Sequence, residues 1–435
     1  MVKVIADLHV HSKYSRACSP NIDLEGMETA AMQKGISLLG TGDFTHPAWL
    51  AELKGKLEEE NGLLKLKLRG SDSSVRFILS SEVSTVYVAD NRVKKVHHCI
   101  LMPNFEAVDS FVEKLKSKGV VLASDGRPTL SMTSAELVEA AMEASKDAFV
   151  FPAHLWTPFY GALGQNADFS SVKEVYEDME KYIHAVETGL SSDPKMNWRV
   201  SSLDKYALIS NSDMHSLGKM GREANVFQLK EGFSYNDLIN AIKDKDVARF
   251  NKTVEFYPEE GKYHYDGHRE CGFSVNPEES SISVCPVCGK PLVVGVLHRV
   301  NDLADYPPGR KPSNAIPYIH LVPLEEVIAY AIMKPVASTA VKNIYQELVK
   351  KFGTEFNVLS EASLDDIGRE SNDRISEALK NVRNDNIRIE PGYNGVFGKL
   401  YLIDDEEEGQ EEDGRGRPGA GMEPKTQGRG QKMLF

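Results

Sequence analysis

From residue 2 to about 245, short apolar runs alternate with longer stretches whose apolar residues recur at helical spacing. "VKVIADL" reads as a buried strand, and "DLEGMETAAMQKG" follows as a helix with Asp23 as its N-cap and Gly35 closing it. "ISLLGTG", "VRFILSSEV", "KVHHCILM", "GVVLAS", "AFVFPAH", "IHAVET" and "YALISNS" are further strands. Helices such as "NFEAVDSFVEKLKSKG", "SAELVEAAMEA", "VKEVYEDMEKYI" and "SYNDLINAIKDK" separate several of them. Serial βα units predict the α/β class with a parallel sheet, closed like a barrel or doubly wound. Chemistry then belongs at the carboxyl ends of the strands.

The rhythm breaks between about 250 and 300, in "YHYDGHRECGFSVNPEESSISVCPVCGKPLVVGVLHRV". A proline-rich connector, "YPPGRKPSNAIP", leads into a mainly helical stretch: "PLEEVIAYAIM", "STAVKNIYQELVKKFG" and "SNDRISEALKNVRND", closed by "RIEPGYNGVFGKLYLI". The last thirty or so residues are acidic and then rich in Gly, Arg and Pro, a composition expected to be disordered. The expected organisation is a barrel over 1–250, a small module over 251–300, a mainly helical domain over 301–403 and a tail over 404–435. A chain of 435 residues suits two or three domains.

No apolar run approaches a membrane span and the amino terminus lacks a signal-peptide pattern, so a cytoplasmic protein without membrane contact is expected. Cysteine use points the same way: Cys271, Cys285 and Cys288 crowd one segment, which favours metal over disulfide, while Cys18 and Cys99 read as ordinary buried thiols. The net charge of −13 argues mildly against a non-specific polyanion binder, yet much of it lies in "DDEEEGQEED" near the end. Nucleic acid therefore stays open as a partner.

Polar residues at the strand ends carry the chemistry. His9 and His11 are two apart on one strand and project to the same face. Asp43 and His46 follow the second strand in "GTGDFTHP", and Glu82 follows another in "SSEVS". His97 and His98 sit in "KVHHCILM", His154 in "FPAHLW", Glu187 in "AVETG", and Asp213 with His215 in "SNSDMHS". In a closed barrel the first and last strands are neighbours, so His9, His11, Asp213 and His215 would meet at one mouth. Imidazoles and carboxylates suit zinc, manganese or iron, and there are more of them than one ion needs. A multinuclear centre of this kind favours phosphoester hydrolysis. The sequence has neither a Gly-x-Ser-x-Gly elbow nor a P-loop.

The order "DLHVHS", "GTGDFTH", "SSEVS", "HHCILM", "PAHLW", "SDMHS" resembles the PHP (polymerase and histidinol phosphatase) superfamily of metal-dependent phosphoesterases over residues 1 to 250. The resemblance implies a distorted (βα)7 barrel holding two or three divalent ions (Zn, Mn, Mg or Fe), with His9, His11, Glu82 and Asp213 as the catalytic group around one. It puts Glu82, His98 and His154 around a second, Glu82 bridging and His98 preferred to His97 because "CILM" follows it. A third would take His46 or Asp43 with His215. "KYS" stands where such proteins often have another His past His11.

His268-x-x-Cys271 and Cys285-x-x-Cys288 form two ligand pairs, and "CPVCGK" has the composition of a zinc knuckle. One structural zinc is expected, with His264 the rival to His268 as fourth ligand. Barrel, zinc insert and helical portion together resemble the archaeal endonuclease Q family of DNA repair nucleases. That resemblance implies incision of double- or single-stranded damaged DNA on the 5′ side of a deaminated base (uracil, hypoxanthine, xanthine) or an abasic site; the barrel alone would also permit a phosphatase acting on a small phosphomonoester. An altered base costs less to flip into a pocket than a paired one. Trp156, Phe159 and Tyr160 in "HLWTPFYGALGQN" are candidate base contacts, and Arg127, Lys219 and Arg222 candidate phosphate contacts. Gln431, Leu434 and Phe435 in the terminal "QKMLF" resemble a shortened motif for the sliding clamp PCNA.

Overall fold

The computed structural model describes residues 1–67 and 75–403. Strand β1 (Val2–Asp7) runs parallel to β2 (Leu38–Gly40), joined by the helix Leu24–Lys34. Asp23 caps that helix by accepting from the Gly26 N–H, and Gly35 ends it at φ 90°, a left-handed conformation that a Cβ disfavours. A hairpin of β3 (Leu57–Glu60) and β4 (Leu63–Leu66), which the apolar pattern does not announce, turns at Asn61-Gly62 and borders β5 (Arg76–Ala89). β5 continues into β6 (Arg92–Met102) through Asp90 and Asn91, both left-handed. β7 (Thr129–Leu130) pairs with β5, and β8 (Phe149–Pro152) with β6. β9 (Ala185–Glu187) and β10 (Ala207–Ile209) form a separate parallel pair; β11 (Ala224–Leu229) and β12 (Phe250–Glu255) extend the sheet beyond β1.

The result is a distorted α/β barrel, but its sheet is mixed where serial βα units predict a parallel one. β5, β6 and β8 run antiparallel to one another in turn, as do β1, β11 and β12. The reason is local: the two residues between β5 and β6 are too few for a crossover, so the chain must fold back as a hairpin. "GVVLAS" is also not a strand. Leu122–Ser124 is a 3-10 turn with Val121 exposed, because only Leu122 of this apolar run is buried.

Helices with capped ends cover the sheet. Asn104 caps Phe105–Ser117, and capping boxes at Thr133/Glu136 and Ser234/Asp237 start Ser134–Ala144 and Tyr235–Lys243. Beyond the barrel, β13 (Asp266–His268) and β14 (Phe273–Val275) make a small hairpin at the cysteines. The proline-rich connector returns the chain to β15 (Tyr318–His320), which pairs with β12, and Arg310 ties it to Asp204 and the Trp198 carbonyl. Five helices follow between Leu324 and Arg383, then the hairpin β16 (Arg388–Glu390) and β17 (Lys399–Tyr401). Among the described residues no helix is long and apolar enough to cross a membrane.

Candidate metal centre

The first and last barrel strands meet through their continuations rather than through the strands themselves. Past β1, Leu8 donates to Asn211 Oδ1 (2.9 Å) and His11 to the Met214 carbonyl (3.3 Å), while Asp213 donates to the His9 carbonyl (3.0 Å). This ladder sets His9, His11 and Asp213 side by side, and β5 brings Glu82 beneath them. His11 Nε2 lies 3.0 Å from Asp213 Oδ1 and 3.3 Å from Glu82 Oε2. His9 Nε2 faces the same oxygens at 3.6 and 3.7 Å and makes no hydrogen bond, although it is fully buried. A buried nitrogen aimed at two carboxylates without bonding either is what a cation between them would explain. The four side chains can place one ligand atom each within 4.8 Å of one another.

Glu82 also belongs to a second group. Its Oε1 lies 2.7 Å from His97 Nδ1 and 3.2 Å from His154 Nε2. The histidine here is His97, not His98. Across the β5–β6 ladder Ser84 opposes His97 and Val83 opposes His98, so alternation puts His97 on the Glu82 face and turns His98 away. His98 bonds Tyr176 Oη (2.8 Å) and Thr85 Oγ1 (2.9 Å) instead. Burial holds His97 down at about 4, which leaves its imidazole neutral with a lone pair to give. Burial opposes the charge of Glu82, yet His97, Arg127 and the hydrogen bonds of His11 and His154 keep its carboxyl well below the usual range. Burial likewise opposes the charge of Asp213, and His9, His11 and His215 prevail over it.

A layer of acceptors stands behind these side chains. Glu187 takes His9 Nδ1 (3.0 Å), the His154 backbone N–H (2.7 Å) and Asn211 Nδ2 (2.8 Å). Asp43 takes His11 Nδ1 (3.1 Å) through one oxygen and, through the other, Ser12 N–H (2.7 Å), Ser12 Oγ (2.6 Å) and Ser15 Oγ (2.9 Å). Asp43 therefore orients His11 and is not placed as a ligand of its own. Gly126 makes room for this, since a Cβ there would lie 2.4 Å from Asp43 Oδ2. Asp43, His154 and Asp213 all have left-handed backbones (φ 49°, 30° and 46°), strain that gathers at functional sites.

The third group expected from His46 or Asp43 with His215 does not come together among the described residues. His46 starts the helix Pro47–Lys56 with its ring stacked on Tyr14 at 4.4 Å, and His215 packs 4.7 Å from the His11 ring with Nδ1 on the Asp213 carbonyl. Tyr14 and Ser15 of "KYS" serve this packing: one stacks, the other bonds Asp43. Asn211 and the serines carry no signal in the sequence pattern, whereas Glu187 is marked by its strand end but takes its role behind His9 only from the fold.

The nucleic-acid candidates divide. Tyr160 stacks on His97 (4.3 Å) and its carbonyl accepts from the His97 N–H. Arg127 lies at the mouth against Glu82 (3.0 Å), its guanidinium raised further above its already high range by Glu82 and Asp213 despite burial. Trp156 is core, fully buried with its indole N–H on Asn197, because its ring points inward beneath the loop. Arg222 is turned back onto the Ser212 carbonyl, and exposed Lys219 pairs with Glu326. Gln431, Leu434 and Phe435 lie outside the described residues.

The cysteine cluster is complete with His268. His268, Cys271, Cys285 and Cys288 converge within 4.8 Å, whereas His264 is buried against Tyr265. The Gly289 N–H returns to the Cys285 carbonyl (2.8 Å), closing the knuckle. Burial would raise the Cys285 thiol, but the backbone N–H groups of Cys288 and Val287 pull it below its ordinary value, toward the thiolate a metal needs.

Comparisons with known proteins agree with this architecture. A family model described as the MJ0043 C-terminal domain matches residues 323–386. The crystal structure of the lesion-specific endonuclease Q from Pyrococcus furiosus superposes with a TM-score of 0.81 at 31% identity, covering 92% of this chain and 95% of that one. The chain belongs to the endonuclease Q family. A second endonuclease Q structure, in complex with a 27-mer duplex substrate carrying an abasic lesion at the active site, gives 0.81 at 30% identity over 95% of this chain and 100% of that one. The uncharacterized protein YqxK of Bacillus subtilis is 28% identical over 92% of this chain and 100% of its own length. As a member of the endonuclease Q family, the protein is a nuclease on a distorted α/β barrel that carries candidate ligand groups for metal ions.

Proposed function

We propose that this protein is a DNA repair endonuclease that hydrolyses the phosphodiester on the 5′ side of a deaminated base or an abasic site, with the damaged nucleotide flipped out of the duplex. The observation that carries the reading is the pair of ligand groups sharing Glu82 in a chain 31% identical, over nearly its whole length, to a lesion-specific endonuclease. His9, His11, Glu82 and Asp213 would hold one divalent ion; Glu82, His97 and His154 a second. Ions so held would polarise the scissile phosphate and lower the pKa of an attacking water. The chain's own residues do the rest. Glu187 and Asp43 fix the ring orientations of His9 and His11, so the ligand atoms stay aimed as the substrate enters. Arg127, permanently charged at the edge of the mouth and 3.0 Å from Glu82, would meet a phosphate oxygen while holding Glu82 ionised. His268, Cys271, Cys285 and Cys288 would hold a structural zinc, and the helices over 323–386 would brace the DNA.

The test is a duplex with one uracil, hypoxanthine or abasic site, incubated with the protein and Mg²⁺ or Mn²⁺. A nick on the 5′ side of the lesion, absent from the undamaged duplex, is expected. An intact damaged duplex, alongside release of phosphate from a small sugar phosphate, would overturn the reading.

A further inference from the structure

The two phenylalanines that are exposed among the described residues, Phe159 at 48% and Phe397 at 65%, lie on one patch although they are far apart along the chain. The Phe159 ring stands 6.2 Å from Tyr263. Lys262 Nζ sits between the next two rings, 5.9 Å from Tyr263 and 5.5 Å from Phe397. Backbone bonds hold the pieces in place: Gly395 N–H to the Lys262 carbonyl (2.8 Å) and Gly398 N–H to the Glu260 carbonyl (3.0 Å). At its near end the patch is fastened to the metal centre. Thr157 Oγ1 bonds His154 Nδ1 (2.8 Å) and the Phe159 carbonyl (3.1 Å), and the neighbouring Tyr160 stacks on His97.

We propose that Phe159, Tyr263 and Phe397, with Lys262 among them, form a rail on which unpaired bases beside the lesion stack while their backbone enters the mouth. This rests on the endonuclease reading. Rings held half in water with an ammonium group between them match one occupant well: a π-face attached to an anionic backbone. A paired base has both faces covered by its neighbours, so the rail selects nucleotides already unstacked, and it offsets part of the unstacking that base flipping requires. An apolar protein surface would gain nothing from Lys262, and a paired duplex would have no free face to offer.

The full-length protein and its Phe159→Leu, Phe159→Trp, Phe397→Leu and Lys262→Ala variants are compared on a uracil-containing duplex with an unpaired, bulged 2-aminopurine next to the lesion. Parent protein should quench 2-aminopurine. Each Leu variant should lose that quenching and weaken binding by about tenfold, the loss appearing in KM more than in kcat, while Phe159→Trp should restore both. Lys262→Ala should lower the salt slope of binding by about one. A Leu variant that quenches and binds like the parent, or whose loss falls on kcat alone, overturns the rail and leaves Phe159 a packing residue of the His154 loop. If the parent itself neither binds nor nicks the damaged duplex, the endonuclease reading falls as well; a parent that does both beside indifferent Leu variants sinks only the rail.

Discussion

Two ligand sets in this molecule are built in opposite ways. The barrel set joins His9 and His11 to Glu82, His97, His154 and Asp213, residues from distant strands, and its carboxylate and imidazole atoms are almost all out of contact with solvent. The cysteine set lies between His268 and Cys288, with Cys288 exposed and Cys271 half exposed. Around the barrel set there is a continuous core and an inner layer of acceptors; around the cysteine set are a three-residue hairpin, a tight turn and exposed apolar residues such as Ile282, Val284 and Val287. A site of the first kind is made by its fold. In the second, ion binding must make the local fold, because little apolar area is buried there to offset the ordering of the chain.

The contrast is sharpest under deletion of one ligand from each set. Asp213→Ala should lower cleavage on the order of 10³-fold while the melting temperature stays close to the parent, because the side chain is at the mouth and the core beneath it is intact. Cys285→Ser should do the reverse: the bound ion is lost, the melting temperature drops by several degrees, and protease cuts first between β13 and the helix Val296–Leu303. Calorimetry, metal analysis and a cleavage assay on the same two variants decide it. If both variants melt alike, the division between a fold that makes a site and a site that makes a fold is wrong.

A smaller effect separates two adjacent histidines. His97→Ala should reduce occupancy of the second ion group and slow cleavage by about 10²-fold, since a ligand of the barrel set is gone. His98→Ala should keep both ions and cost roughly 1–3 kcal/mol of stability, because the buried Tyr176 hydroxyl loses its partner and Thr85 one of its partners. Bound metal counted per chain, beside thermal unfolding, distinguishes the two; equal metal loss from both would return His98 to the site.

This pair also marks where reading the sequence stops. The alternating His9 and His11, the Asp213 near the last strand, Asp23 and Gly35 at the helix ends and the CPVC knuckle follow from spacing and chain chemistry, which are local properties. His97 against His98 turns on which face of β6 meets Glu82, and that depends on the register of an antiparallel pairing that the apolar pattern misread as two independent strands. Trp156 failed for a related reason: an aromatic in a loop beside a ligand can point to the mouth or into the core, and only the fold says which. Asp43 looked like a ligand because an acid at a strand end has the same sequence signature whether it binds an ion or the histidine in front of it.

That ambiguity supports the finest test of the comparison. Asp43 accepts from Ser12 N–H, Ser12 Oγ and Ser15 Oγ through one oxygen and from His11 Nδ1 through the other, so both oxygens are committed to donors. In Asp43→Asn one oxygen becomes an NH₂ group, which must face either the Ser12 N–H or the His11 N–H, donor against donor, and His11 loses its fixed tautomer. Ion affinity of the barrel set should fall about 10- to 100-fold, as it does when an outer carboxylate behind a ligating histidine is removed. In the cysteine set the nearest counterpart is Glu270, 3.8 Å from His268 Nε2 but 73% exposed and already shared with Lys290. Water replaces such a partner readily, so Glu270→Gln should leave that set's affinity where it was. Competition with a chelator measures both. If Glu270→Gln weakens its set as much as Asp43→Asn weakens the barrel set, the outer layer is not what distinguishes the two centres, and burial of the ligands themselves must carry the difference.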